Sequence, residues 1–159
     1  MKRTIAIAAL LVTLFTGARA QFEAGTKYIG ASLSGLSLQY STNERLRLNV
    51  DGAGGIFAAD GFLVFANIGY GHTRYTDDIT VGLNGRYYFT QNGIFIGAGA
   101  QYVHYTKSSN DLMVPVEIGY AYYLNHYLTI EPSVYYKMSV HDFSDNSSVG
   151  LKIGLGYYF

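Results

Sequence analysis

Eight stretches in which apolar and polar residues alternate constrain this chain more than any other feature. In the last stretch, apolar or aromatic residues recur at every second position from Val149 to Phe159, and glycine, lysine or tyrosine occupies the positions between them. A period of two indicates a strand with one apolar and one polar face. An even number of such strands, without helical periodicity between them, predicts an all-β fold, an eight-stranded antiparallel up-and-down transmembrane β-barrel.

Tight turns and longer loops alternate between the predicted strands. The strands are predicted at Lys27–Tyr40, Arg45–Ala58, Gly61–Tyr75, Asp78–Phe89, Ile94–Lys107, Leu112–Leu124, Leu128–Val140 and Val149–Phe159. Tight turns are predicted at Asp60-Gly61, Asn92-Gly93 and Asn125-His126, and the other four connections are longer and polar. This asymmetry is typical of an outer-membrane barrel whose tight turns and both termini lie on the periplasmic side.

The first twenty residues have the pattern of a cleaved signal peptide. They combine a basic start, an apolar run at Ile5–Phe15 and a small-residue cleavage site at Ala18–Ala20, so residues 21–159 are predicted to form one mature barrel domain. Cleavage would leave eight of the 11 basic residues against 11 acidic residues, a balance that excludes a nucleic-acid partner. The chain has no cysteine, which excludes disulfides and a lipidated N-terminal cysteine.

Aromatic residues are expected at the two membrane interfaces of such a barrel. Those expected on the outer face near the tight turns are Phe57, Phe62, Tyr87, Phe89, Tyr122, Tyr127, Tyr157 and Phe159. Those expected toward the loops are Tyr40, Tyr70, Tyr102 and Tyr136.

Some positions depart from regular alternation. The apolar phase of the first strand changes near Ser34-Gly35, which predicts a β-bulge. Pro115 and Pro132 each lack a backbone N–H, so we expect them at bulges or rims. The tight-turn ends of the third and fifth strands are apolar on both faces, at Leu63, Phe65 and Phe95.

Most strand charges fall on the face opposite the apolar one. An eight-stranded barrel is only wide enough for side chains to fill it, and buried charges must be paired. Symmetric pairing of the last two strands would place Lys137 close to Lys152, with Glu117 as the nearest anion. Four inward cations against three anions favour a salt-bridged plug over an ion-selective path. The predicted lumen ion network consists of Arg47, Asp51, Arg86, Glu117, Glu131, Lys137 and Lys152.

The C-terminal Tyr157-Tyr158-Phe159, together with eight strands and tight turns, resembles the small OmpA/OmpX-type outer-membrane barrels. The resemblance implies an outer-membrane location and a C-terminal signal for the barrel-assembly machinery, here Ile153, Leu155, Tyr157 and Phe159. The other expected partners are outer-membrane lipids and lipopolysaccharide, and the protein is expected to be a monomer.

No set of residues indicates catalysis. His104-Tyr105-Thr106 superficially resembles the His-x-Ser pair of small lipid A deacylase barrels, but Glu117 falls on the opposite face from His104. The four histidines lie on separate segments without metal-ligand spacing, so neither a metal nor a cofactor is expected.

The sequence therefore predicts a non-catalytic integral outer-membrane barrel with a side-chain-filled lumen and an envelope-structural or surface-contact role. An adhesin that acts through its loops, a lipid A-modifying enzyme and a narrow pore remain as alternatives. If Leu155 faces lipid near the bilayer midplane, Leu155→Arg should destabilise the barrel by roughly 2–4 kcal/mol, whereas the inward substitution Gly156→Ser should be mild.

Overall fold

Eight strands make up almost all of the structure, a computed structural model that describes residues 22–37, 48–73, 76–89, 92–105, 109–140 and 148–159. The sixth strand is interrupted at Ala121 and continues as Tyr122–Tyr123. No helix in these ranges is long and apolar enough to cross a membrane. The strands are β1 (Lys27–Ser37), β2 (Leu48–Ala59), β3 (Phe62–Thr73), β4 (Thr76–Tyr88), β5 (Ile94–Tyr105), β6 (Ser109–Tyr120), β7 (Leu128–Ser139) and β8 (Ser148–Tyr158).

The sheet is closed into a barrel. Each strand pairs antiparallel with the next one along the chain, and β1 pairs with β8, with Tyr28 opposite Tyr158. Because the sheet is closed, no described strand has an unpaired edge. Lipid offers no hydrogen-bonding partners to the backbone, so a strand in a membrane needs this closure. The predicted eight-stranded antiparallel up-and-down barrel is therefore confirmed.

The apolar face of the strands points outward and the polar face inward, as the alternation predicts. In β8, Ile153 and Leu155 are exposed on the outer surface, while Gly154 and Gly156 are buried. The expectation that Gly156→Ser is mild is wrong, because a Cβ there would lie 2.6 Å from Thr129 Oγ1. The inward side of the strand is therefore crowded at Gly156.

The tight turns follow their residue types. Gly61 and Gly93 have φ angles of 74°, a left-handed conformation that glycine adopts without steric cost. In the third turn, the Asn125 side-chain oxygen accepts hydrogen bonds from the backbone N–H groups of Tyr127 and Leu128, each at 2.8 Å. Several predicted strand ends, including Tyr40, Arg45, Tyr75 and Lys107, lie outside the described residues.

The irregular positions are partly as expected. The β1–β8 register shifts between Ser34 and Leu36, which confirms the predicted bulge. The prolines lie at neither a bulge nor a rim: Pro115 falls where the β5–β6 pairing is interrupted, and Pro132 where the β6–β7 pairing is interrupted. Proline is tolerated at such an interruption as it is at a bulge, because the neighbouring strand does not need a hydrogen bond from that residue's N–H there.

An apolar core fills the tight-turn end of the barrel. Phe57, expected on the outer surface, instead lies buried inside, on the same side of β2 as Asp51 and Ala53. The apolar inward positions of β3 and β5 noted from the sequence belong to this core. Its buried members are Phe22, Tyr28, Phe57, Leu63, Phe65, Tyr88, Phe95, Ala121 and Tyr158.

Candidate functional site: the barrel lumen

Phe22 plugs the tight-turn end of the lumen. Its side chain is 1% exposed, and its ring stacks on Tyr88 with centroids 4.4 Å apart. The Phe22 carbonyl oxygen accepts a hydrogen bond from Gly61 N at 2.6 Å, and Ala24 N donates to Asp60 Oδ1 at 2.8 Å. The residues before β1 thus fold back over the mouth of the barrel. We name Phe22 and the apolar core around it the aromatic plug.

Arg86 lies next to the aromatic plug, on the side toward the loops, and forms ion pairs with two carboxylates. Its Nη1 atom lies 2.7 Å from Glu131 Oε2, and its Nε donates to Glu117 Oε1. Lys152 Nζ lies 2.5 Å from the second oxygen of Glu117. The structure thus brings together Arg86, Glu117, Glu131 and Lys152 of the predicted network. We call these four residues the ionic layer.

The strand register explains why Arg86 reaches Glu117 across an intervening strand. Arg86 on β4 and Glu117 on β6 are both opposite Gly97 on β5. A Cβ at Gly97 would lie 2.8 Å from Glu117 Cγ and 3.1 Å from Arg86 Cγ, closer than normal carbon contacts. The glycine therefore provides the space in which the two charged side chains meet.

Hydroxyl groups complete the surroundings of Glu131, which is 1% exposed. Tyr158 OH donates to Oε1 at 2.5 Å and Thr129 Oγ1 donates to the same atom at 2.9 Å, while Tyr28 OH donates to Oε2 at 3.1 Å. With Arg86, this carboxylate has four donors. A buried carboxylate needs such partners to remain charged.

Arg86 also connects the ionic layer to the aromatic plug. The guanidinium carbon lies 4.5 Å from the ring centroid of Phe95 and 4.8 Å from that of Phe65. Both distances are within the range of cation–π attraction. The sequence placed Tyr88 and Tyr158 on the inner face, but not in the predicted network, because a tyrosine carries no charge to mark it as a partner. Phe22 was missed because it precedes the first strand.

Above the ionic layer is a cavity of about 50 Å³. Asp51 and Lys137 of the predicted network line it, together with Asn67 and Asn84, which share a 2.7 Å hydrogen bond from Asn84 Nδ2 to Asn67 Oδ1. The expected symmetric pairing of the last two strands is wrong in detail. Lys137 is opposite Ser148, because the register of β7 and β8 is shifted from that symmetry.

The lumen is more acidic than the sequence indicated. Asp78 and Asp111 are buried on the inward face at the loop ends of β4 and β6, outside the predicted network. Arg47 lies outside the described residues. Among the inward charges in the described part of the chain, five carboxylates therefore face three cations, Arg86, Lys137 and Lys152. Asp111 was missed because the predicted strand began at Leu112.

The possible hydrolase residues do not meet. His104 is exposed on the outer side of β5, where its Nδ1 lies 2.7 Å from Asn110 Oδ1, and Glu117 points into the lumen. Thr106 lies outside the described residues. In the parts of the chain that the structure describes, no three His, Cys, Asp or Glu side chains form a group that could hold a metal ion.

The residues of the predicted assembly signal form an outward row on β8 and the C-terminus. Ile153, Leu155, Tyr157 and Phe159 are all exposed on the outer surface. The Tyr157 ring lies 5.7 Å from that of Phe159, and Lys27 Nζ lies 5.8 Å from the Phe159 centroid. Recognition of this row by the assembly machinery stays a prediction.

Comparison with known proteins identifies the fold but no close relative. No protein-family model and no curated protein sequence matches the chain. The N-terminal β-barrel domain of Pseudomonas aeruginosa OprF superimposes with a TM-score of 0.67 at 15% identity, over 86% of this chain and 98% of that one.

Two other natural barrels give similar results. Neisserial surface protein A matches with a TM-score of 0.63 at 14% identity, over 85% of this chain and 99% of its own. The Yersinia pestis outer membrane protein Ail matches with a TM-score of 0.56 at 9% identity, over 85% and 99%. At these identities the comparisons establish the fold that the resemblance implied, that of a small eight-stranded outer-membrane barrel.

Proposed function

We propose that this protein is an integral outer-membrane β-barrel with a closed lumen, and that it contributes to envelope structure or surface contact without catalysis. The observation that carries this proposal is the inverted distribution of polarity. All eight strands expose large apolar side chains on the outer surface, with Ile68 and Leu83 each 65% exposed. Among strand residues whose burial is described, the charged ones lie inside, except Lys27 at the start of β1. Such an apolar exterior is stable in lipid and not in water.

Outer-surface aromatic residues support the membrane orientation. Seven of those expected at the tight-turn rim are among the exposed large side chains: Phe62, Tyr87, Phe89, Tyr122, Tyr127, Tyr157 and Phe159. Tyr70 and Tyr102 are exposed toward the loop end. Two aromatic belts separated by aliphatic residues are typical of a barrel that spans a bilayer.

Two layers of side chains inside the barrel support the proposal that the lumen is closed. The aromatic plug occupies the tight-turn end, and the ionic layer above it connects strands β4, β6, β7 and β8 through Arg86 and Lys152. An ion crossing the barrel would have to displace both layers. The structure therefore favours a structural or surface-contact barrel over a narrow pore.

The membrane part of the proposal is tested by folding and fractionation. We expect the mature chain to fold only in detergent or lipid, to run at a different position on gels before and after heating, and to be found in the outer-membrane fraction. A compact, freely soluble monomer without detergent would contradict the proposal.

The closed lumen and the lack of catalysis need separate measurements. In planar bilayers we expect no steady ohmic steps, and such steps would refute the closed lumen while leaving membrane insertion intact. Incubation with lipid A in defined micelles should leave the lipid mass unchanged. A mass change would favour the lipid A-modifying alternative.

A further inference from the structure

A single cationic side chain lies on the outer face of the barrel. Among the strand residues whose burial is described, Lys27 is the only lysine, arginine or acidic residue that points outward. It begins β1 at the tight-turn end, and the next outward residues toward the loops are apolar, with Ile29 56% and Leu33 58% exposed. Lipid does not solvate an ammonium group, so Lys27 has to stay in contact with water or with an anion.

The charge of Lys27 is not neutralised within the described part of the chain. No carboxylate in the described ranges forms an ion pair with its ammonium group, although Glu23 and Asp60 are exposed at the same end of the barrel. Asp60 Oδ1 instead accepts a hydrogen bond from Ala24 N at 2.8 Å. The ammonium group is therefore available to an anion from outside the chain.

An aromatic ring holds the Lys27 side chain at the rim. Lys27 and Phe159 are paired by two backbone hydrogen bonds of 2.8 and 3.0 Å, so their side chains are neighbours on the outer face. Lys27 Nζ lies 5.8 Å from the Phe159 ring centroid, within the range of cation–π attraction. Because this contact limits the positions of a long side chain, less conformational entropy is lost when an anion binds.

Two tyrosines extend this aromatic surface along the rim. The ring centroid of Tyr157 lies 5.7 Å from that of Phe159, and the centroid of Tyr127 lies 6.0 Å from that of Tyr157. All three rings are about half exposed. Aromatic rings on a barrel exterior lie at the headgroup level of a bilayer. We call Lys27, Phe159, Tyr157 and Tyr127 the rim row.

The position of the rim row determines which anion it meets. In the membrane orientation proposed above, the tight turns lie on the periplasmic side, so the rim row lies among the phospholipid headgroups of the periplasmic leaflet. The phosphate of a phospholipid carries a negative charge at this depth. A zwitterionic headgroup has its own ammonium group, which competes with Lys27 for that phosphate, whereas an anionic headgroup has none.

We propose that the rim row binds the headgroup of an anionic phospholipid. Lys27 Nζ forms an ion pair with the phosphate, and the three aromatic rings pack against the glycerol backbone and the first methylene groups of the acyl chains. Charge complementarity carries this assignment, because Lys27 is a lone cation on an otherwise apolar surface in contact with lipid. The inference rests on the membrane orientation given under the proposed function.

The test is the retention of lipid by the refolded barrel in non-ionic detergent micelles, counted by native mass spectrometry. Phosphatidylglycerol and phosphatidylcholine with identical acyl chains are added in equal amounts. We expect phosphatidylglycerol to be retained about fivefold more than phosphatidylcholine, the preference that one lysine provides toward anionic lipid. Lys27→Gln should abolish the preference, and Lys27→Arg should keep it.

Two further variants separate the rim row from general electrostatics. Glu23→Gln is the matched control, because it removes an exposed charge at the same end of the barrel. It should leave the preference unchanged, whereas a simple effect of net charge predicts an increase. Phe159→Leu keeps the lysine but removes its ring contact, so the preference should fall about twofold. The gel shift of the unheated band shows that each variant is folded.

Four results would overturn the proposal. They are equal retention of the two lipids, a preference that persists in Lys27→Gln, an undiminished preference in Phe159→Leu, and displacement of phosphatidylglycerol by added lipid A, which would make lipopolysaccharide the occupant. Failure of the proposed function has a different outcome, because the chain would then not require detergent or lipid to fold. A barrel that folds in micelles but fails this test contradicts the lipid site alone.

Discussion

Replacing Arg86 by methionine should be the most damaging single change in the ionic layer. Arg86 is 4% exposed and ion-paired with both Glu117 and Glu131. Methionine fills a similar volume but leaves Glu131 with hydroxyl donors only. Removing one partner of a buried ion pair costs about 3–5 kcal/mol, because the remaining charge is left uncompensated. We expect a loss of that size in the free energy of unfolding.

The partners that remain after each substitution in the ionic layer determine the control variants for Arg86→Met. Glu117 keeps Lys152 when Arg86 is removed, so most of the loss should come from Glu131. Lys152→Met should cost less, about 1.5 kcal/mol, since Lys152 is 18% exposed and Glu117 keeps Arg86. Adding Glu131→Gln to Arg86→Met should recover about 1.5 kcal/mol, because it removes the stranded charge.

Urea unfolding in lipid vesicles measures these differences. The chain contains no tryptophan, so the folded fraction is followed by the gel shift of the unheated band and by far-ultraviolet circular dichroism. A loss below about 1 kcal/mol for Arg86→Met, or a double variant less stable than Arg86→Met alone, would refute the claim that Arg86 compensates a buried carboxylate.

Three further predictions test the outer face, the glycine space and the aromatic plug. Arginine at Ile153, in the middle of β8, should cost about 2–4 kcal/mol, falling to about 0–1 kcal/mol at Tyr157 near the rim, and equal costs in urea titrations would contradict the lipid-facing assignment. Gly97→Val should separate Arg86 from Glu117 and lower the folded yield, whereas Ala98→Val, on the outer face, should fold normally in the same refolding assay. Phe22→Ala should cost about 3 kcal/mol in unfolding free energy, and an unchanged urea midpoint would show that Phe22 does not anchor the plug.

The alternation of residue types predicted the fold because, in a closed sheet, the odd and even positions of a strand lie on opposite faces. Once one face of a strand contacts lipid, the alternation assigns every residue of that strand to the outer or the inner face. A one-residue shift in register would turn every side chain to the other face. Arg86, Glu117 and Lys152 were therefore placed correctly on the inner face before any contact was known. The expectation that Phe57 belongs to the outer belt is wrong because it rests on aromatic character alone, whereas Phe57 lies an even number of residues from the inward Asp51 on the same strand.

Other features of the lumen could not be predicted from the alternation of apolar and polar residues. Phe22 precedes the first strand, so its insertion depends on the turn at Asp60-Gly61 that holds the segment in place. Asp111 lies beyond the point where the apolar alternation of β6 begins, so its inward direction was visible only once the strand was extended. The position of Lys137 depends on the register across the last loop, which residue types alone do not specify.

Glycines on the inner face explain how so narrow a barrel holds a charged network. Gly97 lies between Arg86 and Glu117, and Gly154 is opposite Glu131. A Cβ at Gly154 would lie 3.4 Å from Glu131 Cβ, a close but tolerable contact, whereas one at Gly97 would meet Glu117 Cγ at 2.8 Å. Gly97 should therefore be the less replaceable of the two. In a barrel of this width, an inward glycine flanked by inward charges on both neighbouring strands marks a position where those charges meet.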